Sequence, residues 1–156
     1  MDRVAVALGS NLGDRRAHLD FAVSRLTAAI PDLTVSRYYD TDPVDVPDAQ
    51  PSFLNAAAVG TTDASPHDVL AMLLSIERER GRERPFRHAA RTLDLDLILL
   101  GNAVVNAPTL VVPHPRFRER RFVLEPLCEI APEMVDPVTG STVAALLTRV
   151  LRAHAT

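Results

Sequence analysis

Arg91-Thr92-Leu93-Asp94-Leu95-Asp96-Leu97-Ile98-Leu99-Leu100 alternates polar and apolar residues and then runs into an apolar end. A period of two marks a strand with one buried face. Thr92, Asp94 and Asp96 then share one face, and Leu93, Leu95 and Leu97 the other. Two carboxylates two positions apart stand about 6.6 Å apart at Cα, close enough for both to grip hard cations. Like charges side by side at the mouth of so apolar a strand fit a pair of magnesium ions carrying a polyphosphate, which invert the local charge balance. An exposed edge strand with solvated Asp residues is the plainer alternative, and a bare Asp-x-Asp does not exclude it. The upstream run Arg78-Glu79-Arg80-Gly81-Arg82-Glu83-Arg84-Pro85-Phe86-Arg87 tips the balance. Guanidinium groups beside metal ligands point to phosphate chemistry.

Working outward, strand and helix alternate. Val4–Leu8 reads as an apolar strand, followed by the turn Gly9-Ser10-Asn11-Leu12-Gly13-Asp14. Asp14 can cap a helix over Arg15–Ile30, with Leu19, Ala22, Val23, Leu26 and Ile30 on one face. Thr34–Tyr39 reads as a second strand and Phe53–Val59 as a third, joined by a Pro- and Asp-rich stretch suited to binding. Ser65-Pro66-His67-Asp68 opens a helix that carries Val69, Met72, Leu73 and Ile76 and stops near Gly81. After the Asp-bearing strand, Gly101-Asn102 turns the chain into Ala103–Val105 as a hairpin. Thr142 caps a final helix striped by Val143, Leu146, Leu147, Val150 and Leu151. The order predicts an α+β fold: a ferredoxin-like βαββαβ core with a mainly antiparallel sheet, helices on both faces and a C-terminal extension.

At 156 residues the chain is expected to form one domain, 1–156, with a sizeable core. It is 47% hydrophobic and 24% charged, the balance of a globular protein. A net charge of −3 speaks against a nucleic-acid or membrane-surface partner. All 17 basic residues are Arg, so no Walker-type loop is possible and a nucleotide must be held by Arg and metal. Cys128 stands alone, without a disulfide or Cys-based metal site, and reads as a small core residue. With no signal pattern or spanning run, a cytoplasmic monomer is expected.

Other residues have weaker claims. The Gly9–Asp14 turn could hold an anion on its amides, but without a Lys a structural turn is favoured. His114, pinned in Val112-Pro113-His114-Pro115 beside Arg116, Arg118, Arg120 and Arg121, could reach a phosphate or be incidental. His18 and His67 read as surface residues on helix starts. Phe53 and Phe122 read as core by default. Asn55 shares the face of Phe53 and could read a planar heterocycle through paired hydrogen bonds.

Gly9-Ser10-Asn11-Leu12-Gly13, Phe53-Leu54-Asn55-Ala56, Gly81-Arg82-x-Arg84, Arg91-Thr92-Leu93-Asp94-Leu95-Asp96 and Val112-Pro113-His114-Pro115 with Arg120 and Phe122 follow one another in a known order. In this the chain resembles the 6-hydroxymethyl-7,8-dihydropterin pyrophosphokinase family of folate biosynthesis, over about Val4 to Glu133. The resemblance implies that ATP and 6-hydroxymethyl-7,8-dihydropterin are the substrates, and that AMP and the pterin diphosphate are the products. It implies two magnesium ions on Asp94 and Asp96, with Asp96 a candidate for the hydroxyl proton. Arg82 and Arg91 would neutralise the transferring diphosphoryl group. Arg84, His114 and Arg120 would hold the triphosphate, and Glu77 would lie near the nucleoside. Phe53 and Phe122 would sandwich the pterin, with Asn55 and backbone near Thr41 and Val44 bonding its edges. The Asp40–Ser52 and Arg82–Ala90 stretches would close over the reactants.

The chain departs from many relatives in having His88-Ala89-Ala90 where they carry Trp-Gly-Pro, in Leu74 for Gln, and in Asp42 for a Pro. Two rival readings are weaker. An RNA-binding module on this fold calls for exposed aromatic pairs and a basic charge. A metal-dependent nucleotidyltransferase leaves Phe53, Asn55 and Phe122 unexplained.

Overall fold

The computed structural model describes residues 1–41, 52–81 and 92–153. Its elements run β1 (Asp2–Ser10), α1 (Arg15–Ala29), β2 (Thr34–Val35), β3 (Tyr39–Thr41), β4 (Phe53–Thr62), α2 (Pro66–Arg80), β5 (Asp94–Leu100), β6 (Val105–Ala107), β7 (Leu110–Val112), a 3-10 turn (Phe117–Glu119), α3 (Arg121–Ile130) and α4 (Val143–Ala153). The main sheet has the order β2-β4-β1-β5, with β3 also on β4, and every pairing is antiparallel. This is the expected split-βαβ arrangement, with the Asp-bearing strand at one edge.

Strand alternation divides the interior in two. Val4, Val6, Leu8, Leu54, Ala56, Leu95 and Leu97 face α1 and α2, where they bury Leu19, Leu26, Leu73 and Ile76. Ala5, Ala57, Val59, Ile98 and Leu99 face the other way, against Phe117, Val123, Leu124, Leu127, Val143 and Leu146. Leu19, Leu73, Leu124 and Leu146 are essentially fully buried. Each such side chain contributes about 1.5–3 kcal/mol through apolar burial. Cys128 packs half-buried against the second cluster, near its expected place.

The helix ends behave as read. Asp14 Oδ1 accepts from Ala17 N–H at 3.1 Å, Ser65 Oγ from Asp68 N–H at 3.1 Å, and Thr142 Oγ1 from Ala145 N–H at 3.1 Å. Each satisfies a donor that the first helical turn leaves open.

Two local expectations need correction. The strand expected over Thr34–Tyr39 is two short strands, because the buried Ser36 interrupts the ladder. Its N–H still donates to Ala57 O, but Ala57 N–H is met by the Ser36 hydroxyl at 2.9 Å, so a side chain interrupts the run of backbone bonds. The hairpin expected after the Gly101 turn lies further on. β6 pairs with β7 through a turn at Pro108-Thr109 as a separate two-stranded sheet. The Arg116–Arg121 run, which could equally have been a solvated helix start, leads into α3, and that helix continues through Pro126.

Candidate functional site

The β-register assembles the site. On β1, Gly9 pairs with Asn55 of β4 on one side and with Asp94 of β5 on the other. Ala7 pairs in the same way with Ala57 and Asp96. Asn55, Gly9 and Asp94 thus form one row across three strands, and Ala57, Ala7 and Asp96 the next. At strand spacing, Asn55 and Asp94 are about 10 Å apart. All six positions lie opposite the Leu8–Leu95–Leu97 face, on the side of the sheet covered further along by α3. The sequence-predicted heterocycle reader and carboxylate pair therefore occupy one surface.

The row is floored by small residues. A β-carbon on Gly9 would stand 3.3 Å from Asn55 Oδ1. The Asn55 carboxamide, itself buried, lies over that bare position while its Nδ2 donates to Thr41 Oγ1 at 2.6 Å. Thr41 Oγ1 also approaches Phe53 O at 3.4 Å. Thr41, Phe53 and Asn55 are thereby joined at the paired ends of β3 and β4.

Asp94 and Asp96 are half-exposed. The outer edge of their strand is held from α2, where the buried Glu77 accepts the Leu95 N–H on Oε2 at 2.8 Å. Leu95 lies between the two Asp residues, so this carboxylate fixes the backbone that aims them. Among the described residues no group of three or more His, Cys, Asp or Glu side chains is arranged to hold a metal. Two carboxylates are hard oxygen donors, and they suit magnesium whose remaining ligands are phosphate oxygens and water.

His114 is tied to β5 through its N–H to Ile98 O at 3.0 Å, and its Nδ1 accepts from Arg116 N–H at 3.2 Å. Burial lowers its basicity first, and the Arg120 and Arg116 charges lower it further, against an opposing pull from Asp94. The imidazole therefore favours its neutral form, within electrostatic reach of both Asp94 and Arg120. Arg120 lies over the Phe122 ring at 5.6 Å from the centroid, and Phe122 is 44% exposed at the start of α3. A large aromatic left this open is not packed into the core. Phe53 is half-buried.

Asp94, Asp96, Asn55, Thr41, Phe53, Glu77, His114, Arg120 and Phe122 are all placed. Arg82, Arg84, Arg91, Val44, Asp42 and His88 lie outside the described residues, as do nearly all of the two stretches expected to close over the reactants. His18 is not the plain surface residue expected, because Arg80 Nε donates to its Nδ1 at 2.8 Å. The sequence singled out Gly9 only within the Gly9–Asp14 turn and did not place it between Asn55 and Asp94, which the register alone shows.

The family model described as 7,8-dihydro-6-hydroxymethylpterin-pyrophosphokinase (HPPK) matches residues 5–132. The 2-amino-4-hydroxy-6-hydroxymethyldihydropteridine pyrophosphokinase of Bacillus subtilis is 42% identical over 144 residues, covering 90% of this chain and 86% of that protein. The protein of the same name from Methylorubrum extorquens is 43% identical over 152 residues, 96% of this chain and 94% of that one. Folic acid synthesis protein fol1 of Pneumocystis carinii is 36% identical over 151 residues, but the chain spans only 20% of its length. Among solved structures, Plasmodium falciparum HPPK-DHPS with pteroate superposes with a TM-score of 0.77 over 97% of this chain and 42% of that chain. At 13% identity that likeness concerns the fold.

Proposed function

We propose that this chain, which belongs to the 7,8-dihydro-6-hydroxymethylpterin-pyrophosphokinase family, transfers the β,γ-diphosphate of ATP to the hydroxymethyl group of 6-hydroxymethyl-7,8-dihydropterin. The hydroxymethyl oxygen attacks the β-phosphorus in line, the bond from that phosphorus to the α-bridging oxygen breaks, and AMP leaves. The observation that carries the reading is the in-register row Asn55–Gly9–Asp94, which sets the Asn55 amide and a carboxylate pair on one face. Such transfers depend on positioning and charge stabilisation far more than on covalent chemistry.

In this reading Asn55, Thr41 and backbone near Val44 bond the edges of the pterin, with Phe53 and Phe122 on its faces. Asp94 and Asp96 would hold two magnesium ions, which would supply positive charge against the phosphate oxygens. Asp96 accepts the hydroxyl proton. Arg84, His114 and Arg120 grip the triphosphate, and Glu77 supports the strand beside it. Arg82 and Arg91 neutralise the moving diphosphoryl group. Their support is the match of Gly81-Arg82-x-Arg84 and Arg91-Thr92-Leu93-Asp94 to the family order. The 156 residues act as one domain, a cytoplasmic monomer. Among the described residues no helix is long and apolar enough to cross a membrane.

Incubation with ATP, magnesium and the hydroxymethyl dihydropterin should yield AMP and pterin diphosphate in equal amounts. Release of ADP, or no reaction, would overturn the assignment. Asp94→Asn and Asp96→Asn should each lose nearly all turnover while remaining folded. Retained activity of Asp96→Asn at ordinary magnesium would remove the carboxylate pair from the mechanism.

A further inference from the structure

Arg15 opens α1, where a cation is disfavoured by the positive end of the helix dipole. Its guanidinium instead reaches across to the ends of β3 and β4. Nη1 donates to Asp40 Oδ1 at 3.1 Å, to the Ser52 carbonyl at 2.8 Å and to Ser52 Oγ at 2.9 Å. Nη2 donates to Asp40 Oδ2 at 3.2 Å, completing a two-pronged grip on the carboxylate. Ser52 Oγ in turn donates to Asp40 Oδ1 at 2.6 Å, which closes a three-residue ring of bonds. Arg15 and then Ser52 hold the Asp40 carboxyl below its usual range.

The place of this ring in the fold gives it a role. Among the described residues the β3–β4 ladder runs over three pairs, from Tyr39↔Asn55 to Thr41↔Phe53. Asp40 lies within β3, and Ser52 directly precedes β4. Among the described residues β3 pairs with β4 alone, and a run of three pairs opens readily without another tie. Arg15 provides that tie from α1, whose Leu19, Ala22 and Leu26 are fully buried in the core. The residues flanking the ring are Thr41 and Phe53, and Thr41 holds the Asn55 amide.

We infer that Arg15 is a positioning residue for the pterin: its clasp on Asp40 and Ser52 sets Thr41, Phe53 and Asn55 in their binding geometry without touching the substrate. The inference rests on the assignment of those three residues to the pterin. An exposed ion pair contributes little to stability on its own. The effect of the clasp therefore falls on the geometry of the ladder, and on one substrate only, because Asp94 and Asp96 lie two strands away.

The test is steady-state kinetics of Arg15→Ala with each substrate varied at saturating levels of the other, beside Asn55→Ala. Arg15→Ala should raise KM for the dihydropterin about five- to fiftyfold, the scale of lost charge-assisted bonds. KM for ATP and kcat should stay within about twofold. Asp40→Ala should act in the same direction, and the double variant should be no worse than Arg15→Ala alone, as expected of one coupled unit. An unchanged pterin KM in Arg15→Ala, or an equal rise for ATP, overturns the inference while Asn55→Ala still impairs pterin use. If Asn55→Ala leaves pterin use intact, the pterin assignment itself fails and takes the clasp's role with it.

Discussion

Asn55 and Gly9 face each other across the β4–β1 ladder, and the carboxamide oxygen of Asn55 occupies the space that a side chain on Gly9 would need. The next in-register residue along that row is Asp94. The missing β-carbon leaves the amide oxygen its place above Gly9 while its Nδ2 donates to Thr41 Oγ1.

That relationship predicts a separation of stability from function. Gly9 lies in ordinary strand backbone, so Gly9→Ala should still fold, the gain of up to about 0.5 kcal/mol from reduced chain entropy being offset by crowding of the buried Asn55 amide. The new methyl would push Asn55 Oδ1 by a few tenths of an ångström and turn the amide away from its partner. Pterin affinity should fall about tenfold while ATP affinity holds, as measured by calorimetry with each ligand. Unchanged pterin binding would show that the amide has room to move.

Glu77 makes a second case. Because Oε2 bonds the Leu95 N–H, Glu77→Gln retains an acceptor at the same place, whereas Glu77→Ala leaves the edge of β5 untied. Turnover should drop by at least about tenfold in Glu77→Ala, with a raised magnesium requirement, and much less in Glu77→Gln. Equal losses in both variants would mean that the charge matters and not the bond.

Phe122, exposed on the first turn of α3, has little to do in the core. Phe122→Ala should leave the melting temperature within about 2 °C, as for a surface site. KM for the dihydropterin should rise far more than KM for ATP, since stacking reaches only the ring. A fall in melting temperature with both KM values rising together would restore Phe122 to a packing role.

Asp136 predicts a pH-dependent stability outside the site. It is fully buried, and its carboxylate accepts from Arg118 Nη2 at 3.0 Å, from Thr139 Oγ1 at 2.8 Å and from Val138 N–H at 3.0 Å, with Arg118 Nε a further donor. Burial raises its proton affinity, but these donors more than offset that, and its pKa lies below the ordinary value. A carboxylate depressed in the folded state contributes stability that is present above its unfolded pKa of about 3.9 and lost as pH falls through the folded value. Asp136→Asn leaves Arg118 half-buried without its countercharge, at a cost of about 2–4 kcal/mol at pH 7. Denaturant titrations of wild type and variant should converge as pH drops below about 4. A gap that persists in acid would assign the loss to packing.

Much of this architecture was legible in the chain. Periods of two and 3.6 gave the faces of β5, α1, α2 and α4, because each follows from the spacing of apolar residues along a few turns or pleats. Asp14, Ser65 and Thr142 named the helix starts because a cap is a bond to a residue three positions away. Where a local cue misled, a particular residue was responsible. Ser36 put its hydroxyl into a ladder, and Pro126 sat inside α3 without ending it.

By itself the sequence determined that Asp94 and Asp96 share a face of one strand, that Asn55 shares the face of Phe53, and that no lysine serves the phosphates. Only the tertiary structure decided that these faces are one surface, with Gly9 between Asn55 and Asp94. It alone set the Glu77 carboxylate on the Leu95 amide and the Arg15 guanidinium on Asp40 and Ser52. Face and cap are properties of neighbouring residues. Register, by contrast, is chosen when whole strands bury their apolar sets together, and a shift of one residue would have turned every one of these side chains to the opposite side.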